Sequence, residues 1–261
     1  MKIKQITSLL NDWAPLSYAE DFDNVGLLVG DEQVDCTGVL ITLDCLETVV
    51  DEAIASHCNL IVTFHPIIFK GLKRINKSTY VERVVFKALQ HNIAIFALHT
   101  ALDNVPHGVN FGICQKLGLT NTKTLIPKSP QMPTIGMGMT GSYDTPLEIE
   151  SFITLVKERF AIPTIRHSAL ISKTISKVGV LGGSGSFAIQ NAIQANCDVF
   201  LTADLKYHDF FTAESKIILM DIGHYESEQF TKNLIWEYLT KKIPNFVVLL
   251  SKTNTNPIQY S

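Results

Sequence analysis

Two stretches of this chain repeat one pattern, and each is followed by a histidine with a carboxylate four residues further on. The first is GVLITLDCLETVVDEAIASHCNLIVTFHP, which includes Val39. The second, VGVLGGSGSFAIQNAIQANCDVFLTADLK, begins at Val178. A shift of 139 residues carries Ala53-Ile54 onto Ala192-Ile193, Cys58-Asn59 onto Cys197-Asp198, Thr63 onto Thr202 and His65 onto Asp204. Each copy reads as a short apolar strand, a helix and a second apolar strand. A further apolar run follows each: IAIFALHTALD, with His99 and Asp103, and KIILMDIGHYESE, with His224 and Glu228. Two related halves that deliver matching His/carboxylate pairs at strand ends are one way to build a metal site.

The periodicity extends this reading along the chain. Ile3, Ile6, Leu9, Leu10 and Trp13 have helix spacing and stop before Pro15. VLITLD, LIVTFH and IAIFALH are short, apolar and rich in β-branched residues, so they read as buried strands. TVVDEAIASH and residues 79–91 read as the helices between them, with Val81, Val84, Val85 and Leu89 on the inner face of the latter. Asn104, Pro106 and Gly108 mark a loop before a helix near 109–117. Alternating continuous apolar strands and amphipathic helices predict a mostly parallel sheet covered on both faces. The expected class is α/β: two related three-layer halves, residues 1–121 and 176–261, from an internal duplication. Residues 122–175 break the rhythm and read as a small α+β connecting segment. Within it PKSPQMP reads as a linker, IGMGMTGSY as a half-exposed strand, and Thr145-Pro146-Leu147-Glu148 as a capping box opening a helix. A helix near 228–242 and a strand FVVLLS close the second half, and the tail SKTNTNPIQYS reads as polar and poorly packed.

Composition excludes some classes. The net charge of −3 over 261 residues leaves no general electrostatic footprint for nucleic acid. The N-terminal MKIKQITSLLNDW is too polar for a secretory leader, and no apolar run reaches the ~18 residues of a membrane span. Five dispersed cysteines with no C-x-x-C pair read as reduced, buried thiols. The expected location is therefore the cytoplasm, with no membrane partner.

In parallel α/β sheets ligands gather beyond the carboxyl ends of the strands. His65, His99, Asp204 and His224 fall at such ends, and Asp103 and Glu228 follow two of them by four residues. Imidazole with carboxylate suits Zn²⁺, Mn²⁺ or Fe²⁺. Each residue also has a plainer reading. Glu228 in a first helical turn is favoured by the macrodipole alone, and Asp103 could serve only as a local cap. His208, with Lys206 and Tyr207, makes a polar cluster that suits a general acid, a substrate contact or merely a helix start. His57, His91 and His167 read as solvated, and His107 is ambiguous. GGSGS, residues 182–186, is a tight strand-to-helix turn whose amides could also cradle a phosphate, though it lacks the Lys-Ser/Thr of a P-loop.

Taken together, DFDNVGLLVG (21–30), TFHPIIF (63–69), HTALDNVPHGVN (99–110), GGSGS (182–186), TADLKYHD (202–209) and DIGHYESE (221–228) resemble the NGG-interacting-factor-three-like family. Its members are also labelled dinuclear metal centre hexameric proteins or GTP cyclohydrolase 1 type 2 homologues. The likeness spans nearly the whole chain in order. It implies two related α/β halves, a toroidal homohexamer built as a trimer of dimers, and two divalent metal ions per subunit facing an internal cavity. By this resemblance His65, Asp103 and His224 are metal ligands, Glu228 bridges both metals, and His99 is a ligand or an adjacent group. One departure concerns the second metal. Many bacterial members carry two histidines before the proline, where this chain has Phe64-His65.

Two functions follow from the resemblance. One is a metal-dependent hydrolase in which His99 or His208 moves protons. Its substrate would be a nucleotide or another phosphate-containing small molecule, and the cyclohydrolase label implies attack of water at the purine C8 of GTP. The other is a non-catalytic metal-binding ring that acts as a scaffold or regulator.

Overall fold

The computed structural model describes residues 1–261. In chain order it contains α1 (Ile3–Trp13), β1 (Gly26–Val29), β2 (Val39–Thr42), α2 (Glu47–Ala55), β3 (Leu60–Thr63), α3 (Tyr80–Gln90), β4 (Ala94–Ala97), α4 (His99–Asp103) and α5 (Val109–Leu117). It continues with β5 (Thr120–Ser129), β6 (Met132–Glu148), α6 (Ile149–Phe160), β7 (Arg166–His167), β8 (Thr174–Ser184), α7 (Ile189–Gln194), β9 (Val199–Ala203), β10 (Ile218–Asp221), α8 (His224–Glu228), α9 (Thr231–Lys242) and β11 (Val248–Leu250). The fold is mixed α/β with two sheets. No helix is long and apolar enough to cross a membrane.

The first compact unit comprises residues 1–102 and 230–259. Its sheet has the order β1-β4-β3-β2-β11, parallel except for the antiparallel edge pair β1–β4. Strand residues alternate faces. Leu40, Ile61 and Ile95 pack with Val49, Val50 and Ala53 of α2 and with Val84, Val85 and Ala88 of α3. Helix α9 lies against β2 and β11, and α1 against α9, where Trp13 stacks on Tyr238 at 4.5 Å. In α3, Thr79 caps the helix by accepting from Glu82 N at 3.2 Å. Its inner face is 84, 85 and 88, whereas Leu89, expected inside, is 48% exposed. The i, i+3, i+4, i+7 stripe from Val81 reaches Ala88 and leaves Leu89 one position round the helix.

The second unit comprises residues 103–229 and 260–261. Its sheet runs β5-β6-β8-β9-β10-β7, with β8, β9 and β10 parallel and the other pairs antiparallel. Leu181, Phe200 and Leu219 pack with Ala188, Ile189 and Ala192 on one face. Helices α5 and α6 contact β6 and β8. Strands β2 and β3 and strands β8 and β9 recur at the 139-residue spacing seen in the sequence, Val39 with Val178 and Leu60 with Val199.

Three local expectations are corrected. PKSPQMP is no linker: it is the tip of the β5–β6 hairpin, where Ser129 pairs with Met132. Pro127 is tolerated because β5 is an edge strand, where a proline costs no interior ladder bond. The proposed capping box is also strand, since Leu147 and Glu148 pair with Ile175 and Thr174, and α6 starts only at Ile149. Sheet pairing outweighs the local capping preference there.

The tail is anchored at two points, Ser251 and Thr255, which are buried, while residues 257–261 are exposed as expected. Glu52 of α2 anchors it by accepting from Ser251 Oγ at 2.6 Å, Lys252 N at 2.8 Å and Thr253 Oγ1 at 2.9 Å. Burial would raise the Glu52 carboxyl, but these hydrogen bonds hold it below the usual range. Its stabilisation is therefore present above the unfolded pKa and is lost as pH falls through the lowered folded value. Glu52→Ala is expected to cost about 1–2 kcal/mol in a denaturant titration at neutral pH, allowing for partial exposure. The difference from the parent should shrink at acid pH, and an unchanged midpoint at pH 7 would show that the anchor contributes nothing.

Candidate metal centre

In the first unit the donors sit just beyond β3 and β4. The ladder between β2 and β3 continues past the strands, with Phe64 N donating to Thr42 O at 3.2 Å and His65 N to Leu43 O at 3.0 Å. This fixes the backbone of His65 before its side chain is considered. His65 Nδ1 lies 2.7 Å from Asp44 Oδ1, directly after β2. A ring whose Nδ1–H is held by a carboxylate presents Nε2 as its ligating nitrogen and is more basic there.

His99 repeats the device. Its backbone N donates to Phe64 O at 2.9 Å, and its φ of +29° places it in the sparsely populated left-handed half of backbone space. His99 Nδ1 lies 2.8 Å from Asp23 Oδ1, while Thr100 N and Thr100 Oγ1 donate to Asp23 Oδ2 at 3.1 and 2.5 Å. The Asp23 side chain is fully buried. Burial alone would raise its carboxyl, but the hydrogen bond and charge of His99, with Thr100 and Asn24, pull it below the usual range. The rings of His65 and His99 are 5.4 Å apart, and Phe64, fully buried, meets them at 5.0 and 5.6 Å. Phe64 thus supplies a wall and no donor.

In the second unit Asp204 follows β9 in the left-handed conformation, φ +57°. Its Oδ2 lies 2.7 Å from His224 Nδ1, and His224 Nε2 lies 3.1 Å from Glu228 Oε2 one turn on in α8. The last pair is close enough to share a metal ion. Glu228 is only 3% exposed. Burial pulls the His224 imidazolium down, but hydrogen bonds to Asp204 and Glu228 and their charges outweigh it and raise its pKa to about 11. The two carboxylates on either side of the His224 ring thus favour positive charge at this position.

The GGSGS turn makes this arrangement possible. Gly183 has φ +65°, and a Cβ built there would lie 2.3 Å from Glu228 Oε1 and 3.3 Å from His224 Cε1. Its N–H donates to Ser227 Oγ at 3.0 Å, and Gly182 N donates to Asn110 Oδ1 at 3.1 Å. These two amides are engaged within the protein and do not serve a phosphate, and the turn makes room for Glu228. Asn110 also donates from Nδ2 to the backbone carbonyl of Asp103 at 3.2 Å, tying the buried Asp103, at the end of α4, to the same turn.

The donor set fits a divalent cation of intermediate softness: imidazoles locked through Nδ1 and carboxylates held out of water. Thiolates do not compete. All five cysteines are free and buried, and burial pushes the Cys45 and Cys114 thiols up to about 12. His208 lies on an exposed turn against the rings of Tyr207 and Phe211, at 5.1 and 6.1 Å. His57, His91, His107 and His167 are exposed.

Asp44, Asn110 and the steric role of Gly183 were not singled out by sequence reasoning. Asp23 lies inside DFDNVG and Asp44 ends VLITLD, so an acid at a strand or loop end was the visible signal. Asp204→Asn is expected to weaken metal binding about 10–100-fold. Isothermal titration of the metal-free protein would show it, and parent-like affinity would mean that Asp204 does not orient His224.

A family model described as Duf34/NIF3 (NGG1p interacting factor 3) matches residues 1–257. A Clostridium acetobutylicum protein named GTP cyclohydrolase 1 type 2 homolog is 31% identical over 267 aligned residues, covering 100% of this chain and 99% of the relative. The crystal structure of a Staphylococcus aureus hypothetical protein superposes with a TM-score of 0.91 at 32% identity, covering 100% of this chain and 99% of that one. A Bacillus cereus protein related to NIF3 has the same fold, with a TM-score of 0.91 at 23% identity over 100% of this chain and 99% of its own.

Proposed function

This chain belongs to the Duf34/NIF3 family, and from that premise we propose that it is a metal-dependent hydrolase whose divalent ions are held by His65, Asp103, His224 and Glu228. The observation that carries this reading is the pairing of His65, His99 and His224 through Nδ1 with an aspartate, together with the buried Glu228 beside His224 Nε2. When bound, divalent ions acidify a water and polarise the group it attacks. The chain's own residues do the rest. Asp44 and Asp204 fix the imidazole orientations of His65 and His224. Asp23 fixes the orientation of the His99 ring through Nδ1, which leaves Nε2 as the atom at which that ring can pass a proton. His208 is the second proton-moving residue in this reading.

Two ions per subunit is the stoichiometry proposed. Phe64 offers no donor to the second, and His99, ring to ring 5.4 Å from His65, is the imidazole that can replace it. A nucleotide or other phosphate-containing small molecule is the proposed substrate class, in line with the name of the Clostridium relative. The test is turnover of a panel of nucleotides and phosphoesters by metal-free protein reloaded with Zn²⁺, Mn²⁺ or Fe²⁺, with Glu228→Ala as control. No turnover above that control with any metal would sink the hydrolase.

A ring-shaped homohexameric scaffold is the second reading, favoured by exposed aromatic surface. Tyr207 is 72% and Phe211 64% exposed, with ring centroids 5.4 Å apart. Assembly that is lost with the metal would favour the scaffold over the enzyme.

A further inference from the structure

Thr255 is 7% exposed, and its hydroxyl donates to Asp44 Oδ2 at 2.7 Å across 211 residues of chain. The other oxygen of the same carboxylate, Oδ1, lies 2.7 Å from His65 Nδ1. Asp44 is thus gripped at both ends: the hydroxyl of the terminal segment takes one oxygen and the imidazole the other. The Thr255 hydroxyl restrains rotation of this carboxylate about its terminal bond and, through the carboxylate, the turning of the ring. The segment carrying Thr255 is itself held in place. Glu52 accepts from Ser251 Oγ, Lys252 N and Thr253 Oγ1, so the strap is pinned to α2 immediately before it reaches Asp44.

We propose that Thr255 is a positioning residue for His65, acting through Asp44, so that the C-terminal segment sets the geometry of a metal ligand far from it in sequence. This rests on the reading of His65 as a ligand, but the restraint on the ring exists with or without a metal. Valine has nearly the shape of threonine without the hydroxyl, and serine keeps the hydroxyl. The chain therefore supplies its own controls.

The experiment compares parent, Thr255→Val and Thr255→Ser in two ways: Co²⁺ titration of the metal-free proteins, and crystal structures of the same metal-free proteins. The result expected is Co²⁺ binding weakened about 10–100-fold in Thr255→Val, the range for loss of an orienting partner, and restored in Thr255→Ser. In the metal-free crystals the Asp44–His65 contact should be broken or divided between conformers in Thr255→Val only. Parent-like Co²⁺ affinity with an intact contact in Thr255→Val overturns the proposal. So does a fall in melting temperature alone, with affinity and contact unchanged, because it assigns Thr255 to packing. If the parent binds no Co²⁺ yet Thr255→Val loses the contact, the metal reading fails and the positioning role stands.

Discussion

Gly183→Ala is expected to lose stability and metal together, and Gly118→Ala to lose stability alone. Both glycines are left-handed, φ +65° and +70°, so each alanine carries a backbone cost of about 1–2 kcal/mol. Nothing lies within 4 Å of a Cβ at Gly118, which caps α5, so that cost is the whole effect there. At Gly183 the new Cβ would overlap Glu228 Oε1 at 2.3 Å. The backbone cannot yield easily, because Gly183 N is bonded to Ser227 Oγ and its carbonyl accepts from Thr202 Oγ1 at 3.0 Å. The carboxylate must therefore move. Metal affinity should fall by at least the roughly 10–100-fold that loss of an orienting group produces. Denaturant titrations and metal titrations of both variants separate the two costs. Equal behaviour of the two would mean that the Glu228 carboxylate has no metal to lose.

Glu228→Gln should remove metal binding more completely and change how stability depends on pH. His224 lies between Asp204 and Glu228, and its pKa rises from 6.5 to about 11 despite the opposing effect of burial. A histidine raised in the folded state stabilises it fully below the unfolded pKa, and that contribution is lost as pH climbs toward the folded value. The metal-free parent should therefore melt at progressively lower temperature between pH 7 and 10. Glu228→Gln, with one carboxylate neutralised, should show a shallower slope. Metal uptake displaces the proton from His224, so affinity should rise with pH over the same window. Melting curves of the parent that are flat from pH 7 to 10 would contradict the two-carboxylate cage.

How much of this was legible in the sequence depends on how local the cause was. The buried strands showed through because Val39–Thr42, Leu60–Thr63 and Ala94–Ala97 are covered on both faces and so are continuously apolar. The ends of β3 and β4 directed attention to His65 and His99, and the end of β10 to His224, since ligating groups in this architecture gather there. Distant partners left weaker marks. The contact between Asp44 and Thr255 spans 211 residues, and the polar run SKTNTN looks solvated until Glu52 is seen to anchor it. Prolines misled at residues 127–133 because Pro127 lies on an edge strand, which tolerates it, and Pro130 in the hairpin turn. The GGSGS turn was visible as a turn, but the carboxylate behind Gly183 comes from a helix 45 residues later. Internal duplication is our explanation for the 139-residue recurrence of strand positions, and a hexamer is our proposal for the assembly.

The most direct test is the metal content per chain of protein purified without a histidine tag, measured by mass spectrometry after exposure to Zn²⁺, Mn²⁺ and Fe²⁺ in turn. The result predicted is close to two ions per chain, falling in Glu228→Ala while the fold persists. About one would mean that Phe64 has removed the second position. No stoichiometric metal with any of the three would contradict the proposal that His65, Asp103, His224 and Glu228 are metal ligands.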